Sequence, residues 1–165
     1  MLEIRKLIAG DFQAYRNLLL RALKDHPESL MLDYNEAKEE PEDQARRQFL
    51  NRVIFGAFES DQLIGYTGLN RHRGKKVSHK ATIGGVYVMP EMRGQGVARA
   101  MIAAAIGEAR AQGIELLLIG ANSRHDATIG LYKSLGFEPY GTEKHILKLA
   151  DGSYVDDVLM MQFLK

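Results

Sequence analysis

The chain has 165 residues, 45% of them hydrophobic and 26% charged, with a formal net charge of +1. That length and mix fit one globular domain over 1–165 with a sizeable core, and a balance this close to neutral gives no global electrostatic case for a nucleic-acid or membrane partner. The absence of cysteine excludes a disulfide framework, a thiolate zinc site and a cysteine nucleophile.

The opening residues MLEIRKLIAGDF carry acids and no long apolar stretch, so no secretory signal is expected. No window approaches the ~18 apolar residues of a membrane span, and a cytoplasmic location is the expectation. Residues 2–8, LEIRKLI, alternate as a first strand. Asp11 is placed to cap a helix whose apolar residues Phe12, Tyr15, Leu18, Leu19 and Ala22 follow helical spacing, and His26-Pro27 ends it. Residues 27–42 are polar and acidic, and Pro41 fits the first turn of a short helix through Leu50.

VIFGAFES (53–60) and QLIGYTGLNR (62–71) form a hairpin. The basic connection RHRGKKVSHK leads to a third strand, ATIGGVYVM (81–89). A long helix follows from about Val97 to Gln112, with Gly113 as its stop. IELLLIG (114–120) is a continuous apolar run, as expected of a strand buried on both faces. A further helix covers roughly 126–135 and ends at Gly136. EPYGTEKHILKL and SYVDDVLMMQFL close the chain as two strands around an ADGS turn. The order β-α-α-β-β-β-α-β-α-β-β gives a mixed α/β sheet, antiparallel at first and parallel across the 97–112 helix. It lacks the strict alternation of a doubly wound fold.

The stretch MPEMRGQGVARA (89–100) joins strand to helix through Gly94 and Gly96. Free backbone N–H groups at a helix N-terminus favour an anion. Gly94 and Gly96 let a ligand approach the backbone, and Arg93 adds a charge-assisted contact. The dinucleotide pattern G-x-G-x-x-G fails because its third glycine position is Arg99. A Walker loop fails for want of Gly-Lys-Ser/Thr. Arg/Gln-x-x-Gly-x-Gly/Ala does fit, as Arg93, Gly94, Gln95, Gly96, Val97 and Ala98.

With that motif and the element order, the chain resembles the GNAT superfamily of N-acetyltransferases. The resemblance implies a GNAT-like α/β (α+β) fold: a mixed, mostly antiparallel sheet of about seven strands, splayed at the central parallel pair and flanked by about four helices. It implies that the Arg93–Ala98 loop binds the pyrophosphate of acetyl-CoA, as co-substrate and without a metal. Gly84-Gly85 mark a bulge or close backbone approach inside a strand. In the family the matching strand admits the pantetheine arm. By that implication the Val86 N–H polarises the acetyl carbonyl, Val88 pairs with pantetheine, and Tyr87 stands between them.

Residues 125–137, HDATIGLYKSLGF, resemble the family's closing motif through Leu131, Tyr132, Gly136 and Phe137. There Tyr132 protonates the departing thiolate, as a phenol with an ordinary pKa near 10 can. The family's asparagine and alanine fall here on His125 and Thr128, with Asn122 three residues before His125. Asn122 and His125 are both candidates for a polar contact near CoA. Ser123 and Asp126 also have the spacing of a capping box.

The attacking amine must lose a proton. The 81–90 strand holds no acid, leaving Glu28, Asp33, Glu59 and Asp156 as candidates, with the base unassigned. The acidic segment 27–43 either rims the acceptor site or is a solvated face. RHRGKKVSHK either reaches the CoA 3′-phosphate or is a solvated tip. The resulting expectation is an N-acetyltransferase acting on a primary amine, with a small molecule favoured over a protein and a homodimer left open. A non-catalytic acyl-CoA-binding module is the rival from another class.

Overall fold

A computed structural model describes residues 1–165. Seven strands pair into one sheet: β1 (Leu2–Lys6), β2 (Val53–Glu59), β3 (Gln62–Arg71), β4 (Lys80–Val88), β5 (Leu116–Asn122), β6 (Glu138–Lys148) and β7 (Tyr154–Phe163), in the order β1-β2-β3-β4-β5-β7-β6. Every neighbouring pair is antiparallel except β4 and β5. Parallel neighbours need a crossover, and the helix α4 (Val97–Ala111) supplies it. Four more helices complete the chain: α1 (Phe12–Asp25), α2 (Tyr34–Glu39), α3 (Glu42–Leu50) and α5 (Asp126–Ser134).

Periodicity explains the packing. α4 buries Val97, Met101, Ile102, Ala105, Ile106 and Ala109, one stripe at helical spacing. Ile102, Ala105, Ile106 and Ala109 meet Leu117 and Ile119 of β5 and Tyr132 and Phe137 beyond it. Around α1, Phe12, Tyr15 and Leu18 cluster with Phe49, Tyr66 and Tyr87. Gly113, at φ +71, turns the chain out of α4.

Several local expectations are corrected. The polar stretch 27–42 holds a helix of its own, α2, because the Asp33 carboxylate accepts the N–H groups of Asn35 and Glu36 at its start. Asp11 does not cap α1. Its carboxylate instead takes the Ile8 N–H and both terminal nitrogens of Arg5, tying β1 to the turn before α1. The run IELLLIG is not buried on both faces. β5 begins at Leu116, buries Leu117, Ile119 and Ala121, and leaves Leu116, Leu118 and Gly120 partly or fully exposed, because only one face is covered by α4 and α5. Ser123 and Asp126 form no capping box, and α5 starts at His125 without a side-chain cap.

Candidate active site

The sheet opens at its centre. β4 and β5 stay paired from Lys80↔Leu116 to Ile83↔Ile119 and then part, so residues 84–88 run on with no strand beside them on that side. The break begins at a bulge. The β3 register steps from Tyr66↔Tyr87 to Gly68↔Gly84, which sets Gly85 and Val86 against Thr67 alone. Gly85, at φ +68, adopts the left-handed conformation the bulge needs. The main chain there keeps free donors and acceptors of the kind that pair with an extended ligand.

Beyond β4, Pro90–Met92 make one 3-10 turn, and Gly94 (φ +75) and Gly96 (φ +79) then curl the chain into α4. Gly96 is the N-cap and offers no side chain to the first turn, so the first N–H groups of α4 face outward. Arg93 is held rather than free. Its Nε donates to the Val88 carbonyl at 3.0 Å, and Nη2 donates to His26 Nε2 at 3.1 Å. A guanidinium cannot accept, so the His26 ring carries its proton on Nδ1, 3.5 Å from Glu28 Oε1.

These elements enclose a cleft of about 640 Å³, lined by Val86, Tyr87, Val88, Arg93, Gly94, Gly96, Val97, Ala98, His125 and Tyr132 among others. Of the expected cofactor contacts, Gln95 and Asn122 are absent from that lining. Gln95 points to solvent between the two glycines. Asn122 braces the backbone, its side chain bonding the Arg124 N–H and the Glu28 carbonyl. The cleft fits a linear ligand with an anionic end: unpaired main chain along one wall, helix N–H groups at its mouth, and a buried Tyr87 hydroxyl with no partner. Tyr132 is only 3% exposed. Burial, with the charge of Asp157 second, pushes its phenol above the ordinary range, which keeps the proton on oxygen.

A second cavity, of about 500 Å³, lies beside the first and shares Ser29 and Leu30 with it. Of the acids named from the sequence, Glu28 alone lines either cavity. Asp33 is occupied as the cap of α2, Asp156 accepts the His145 N–H, and Glu59 binds the Met1 ammonium at the β1 edge of the sheet. The basic connection 72–79 joins the other end of β4, roughly 26 Å of strand from Val88. The acid that does line the second cavity is Asp157. Burial first, then the neighbouring Glu143 charge, raises its carboxyl above the usual range, while His125 opposes the shift. In the sequence it is one of two adjacent aspartates in a strand; only cross-strand register distinguishes it from Asp156.

A family model described as the acetyltransferase (GNAT) family matches residues 20–137. A mycothiol acetyltransferase of Thermobispora bispora is 30% identical over 133 residues, 77% of this chain and 43% of that protein. An L-amino acid N-acyltransferase of Escherichia coli is 31% identical over 101 residues, 53% of this chain and 58% of that protein. The chain thus spans about half the length of the curated relatives it matches. The structure of a Salmonella typhimurium protein with its cofactor acetyl-CoA superposes with a TM-score of 0.82 at 22% identity, covering 99% of this chain and 94% of the other.

Proposed function

The chain belongs to the GNAT family of acetyltransferases, and from that premise we propose that residues 1–165 act as a single domain that acetylates the primary amine of a small molecule by direct attack. The family uses acetyl-CoA, which supplies an activated acetyl thioester. The observation that carries the reading is the junction of two features: a strand that loses its neighbour after Ile83, and a helix start at Gly96 whose N–H groups are uncapped. One suits an amide-bearing arm and the other a pyrophosphate.

In this reading the N–H groups of Val97 and Ala98 hold the pyrophosphate, with Gly94 and Gly96 allowing close approach and Arg93 adding its charge. The main chain of Val86 and Val88 orients the pantetheine arm, and the Val86 N–H stabilises charge developing on the acetyl oxygen. Tyr132, protonated in its buried site, gives a proton to the leaving sulfur. His125 flanks the arm at the start of α5. Support for a small acceptor comes from the second cavity, of about 500 Å³ and lined in part by Leu30, Met31 and Leu32, and from relatives named for amino acids and mycothiol.

No helix is long and apolar enough to cross a membrane.

Thiol release from acetyl-CoA across a panel of amines tests the reading. Turnover with at least one amine is expected. Tight acetyl-CoA binding without turnover on any amine would favour a non-catalytic acyl-CoA-binding module.

A further inference from the structure

The second cavity carries a charge pattern that acetyl transfer to an arbitrary amine does not require. Gly84 of β4 and Gly120 of β5 line its floor, and the buried Gly68 of β3 continues the row beneath Arg52. Gly68 of β3 pairs with Gly84 of β4, and the register that pairs Ile83 with Ile119 brings Gly120 of β5 opposite Gly84 where the strands part. Three neighbouring positions without side chains make a trough across three strands, and each end is overhung by a polar group.

At the β3 end, a methyl group on Gly68 would lie 3.1 Å from Arg52 Nη2, 3.3 Å from the Gly84 carbonyl oxygen and 3.6 Å from Asn70 Nδ2. The guanidinium and the amide therefore converge on one point above the glycine. At the β5 end, a methyl group on Gly120 would lie 2.9 Å from Asp157 Oδ2, so the carboxylate leans over β5 into space that any side chain would fill. Arg52 is the one basic residue lining this cavity and Asp157 the one acid. Arg52 forms no ion pair and has the Tyr15 hydroxyl beside it, and no lysine or arginine pairs with Asp157. Tyr66, 3% exposed, also lines the cavity, and its hydroxyl has no hydrogen-bond partner. An unpaired cation, a free amide and a buried hydroxyl at one end, with an unpaired anion at the other, fit a ligand of the opposite polarity.

The spacing narrows that ligand. Neighbouring strands lie about 4.8 Å apart where they pair, and β4 and β5 are just beginning to part here, so Gly68 and Gly120 stand roughly 10 Å apart or somewhat more. An α-amino acid gripped at its carboxylate by a guanidinium and at its ammonium by a carboxylate spans about 9 Å between the gripping atoms. The charge of Asp157 also reaches Tyr132 and that of His125 reaches Asp157, which marks the Asp157 end as the one beside the acetyl-CoA cleft.

We propose that the acceptor is a free α-amino acid, its carboxylate held by Arg52 and Asn70 above Tyr66 and its amino group held by Asp157 at the point where β4 and β5 part. The proposal rests on the acetyltransferase reading and adds to it the recognition of a carboxylate next to the amine. The pocket walls Leu118, Ile146 and Leu159 favour an uncharged side chain.

The test measures thiol release from acetyl-CoA by the full chain with the L-amino acids. For each one accepted, its carboxamide and its decarboxylated amine are also measured. The expected result is a kcat/KM for the free amino acid roughly 10- to 100-fold above either analogue. Arg52→Gln should bring that ratio close to one, and Arg52→Lys, which keeps the charge without the fork, should leave an intermediate ratio. Gly68→Ala, which crowds the guanidinium without removing it, should lower the same ratio. Equal turnover of acid, amide and amine, or a ratio that Arg52→Gln leaves in place, overturns the proposal. Turnover of amines without any amino acid overturns it while the transferase reading stands. Acetyl-CoA binding with no turnover of any compound overturns both.

Discussion

Replacing Gly96 by glutamate separates the two things that residue does. Gly96 sits at φ +79, ψ 8 as the N-cap of α4, and a Cβ there would meet nothing within 4 Å. The steric cost is therefore confined to the backbone, about 1–2 kcal/mol for an L-residue in the left-handed region, or roughly 2–8 °C of melting temperature for a chain of this size. Gly96→Ala measures that strain alone. Gly96→Glu adds a carboxylate beside the free N–H groups of the first turn. Two unit charges about 6 Å apart repel by about 0.7 kcal/mol in water and about 3 kcal/mol at an effective dielectric of 20. Against a doubly charged pyrophosphate the Glu variant should bind acetyl-CoA at least about tenfold more weakly than the Ala variant. Part of the gap should close in high salt. Calorimetric titration of both variants with acetyl-CoA at two ionic strengths reads this directly. Equal affinity of the Ala and Glu variants would refute the assignment of this loop to the pyrophosphate.

Tyr132→Phe removes a hydroxyl from a side chain that is otherwise buried, so the fold should hold while kcat falls by roughly 100-fold or more; an unchanged kcat in steady-state assays withdraws the acid role. Asp157→Asn should raise the melting temperature at pH 7. The folded protein raises the Asp157 carboxyl, so its ionised form costs stability above the folded pKa, and that cost disappears below the unfolded value near 3.9. Melting curves at pH 7 and near pH 3.5 should show the gain only at the higher pH, and a loss of stability at pH 7 would contradict the burial argument. Glu59→Gln should leave kcat/KM within about twofold in the thiol-release assay, because Glu59 binds the Met1 ammonium at the far edge of the sheet; a large loss would show that the edge communicates with the cleft.

The sequence alone determined what depends on neighbours along the chain. Gly94 and Gly96 mark two left-handed residues within one loop, and the loop takes that shape whatever packs around it. The stripe from Val97 to Ala109 is a helical period, and the apolar run before Gly120 is a strand. Together they make a strand, loop and helix of the kind that can hold a phosphate. Gly84-Gly85 likewise announced a bulge, because a glycine pair inside a strand is a local irregularity.

Tertiary structure decided which polar groups share a cavity. Glu59 and Asp33 looked available in the sequence, yet one is bound to the chain's first residue and the other to the helix that follows it. Asn122 and Gln95 lie within or beside the family motifs, yet one braces a turn and the other faces water. Arg52 and Asp157 carried no local signal. They meet over one trough only because β3, β4 and β5 lie side by side and β7 adds to the outer edge of β5. The pairing of Asn122 with Asp157 puts Asp157, and not Asp156, on the cavity face. A slip of one residue in that register would exchange the two aspartates. Helix and loop propensities act over a few residues, but the face a strand residue presents is set by a partner strand far away in the chain, and for this reason the glycine loop was legible and the polar groups of the second cavity were not.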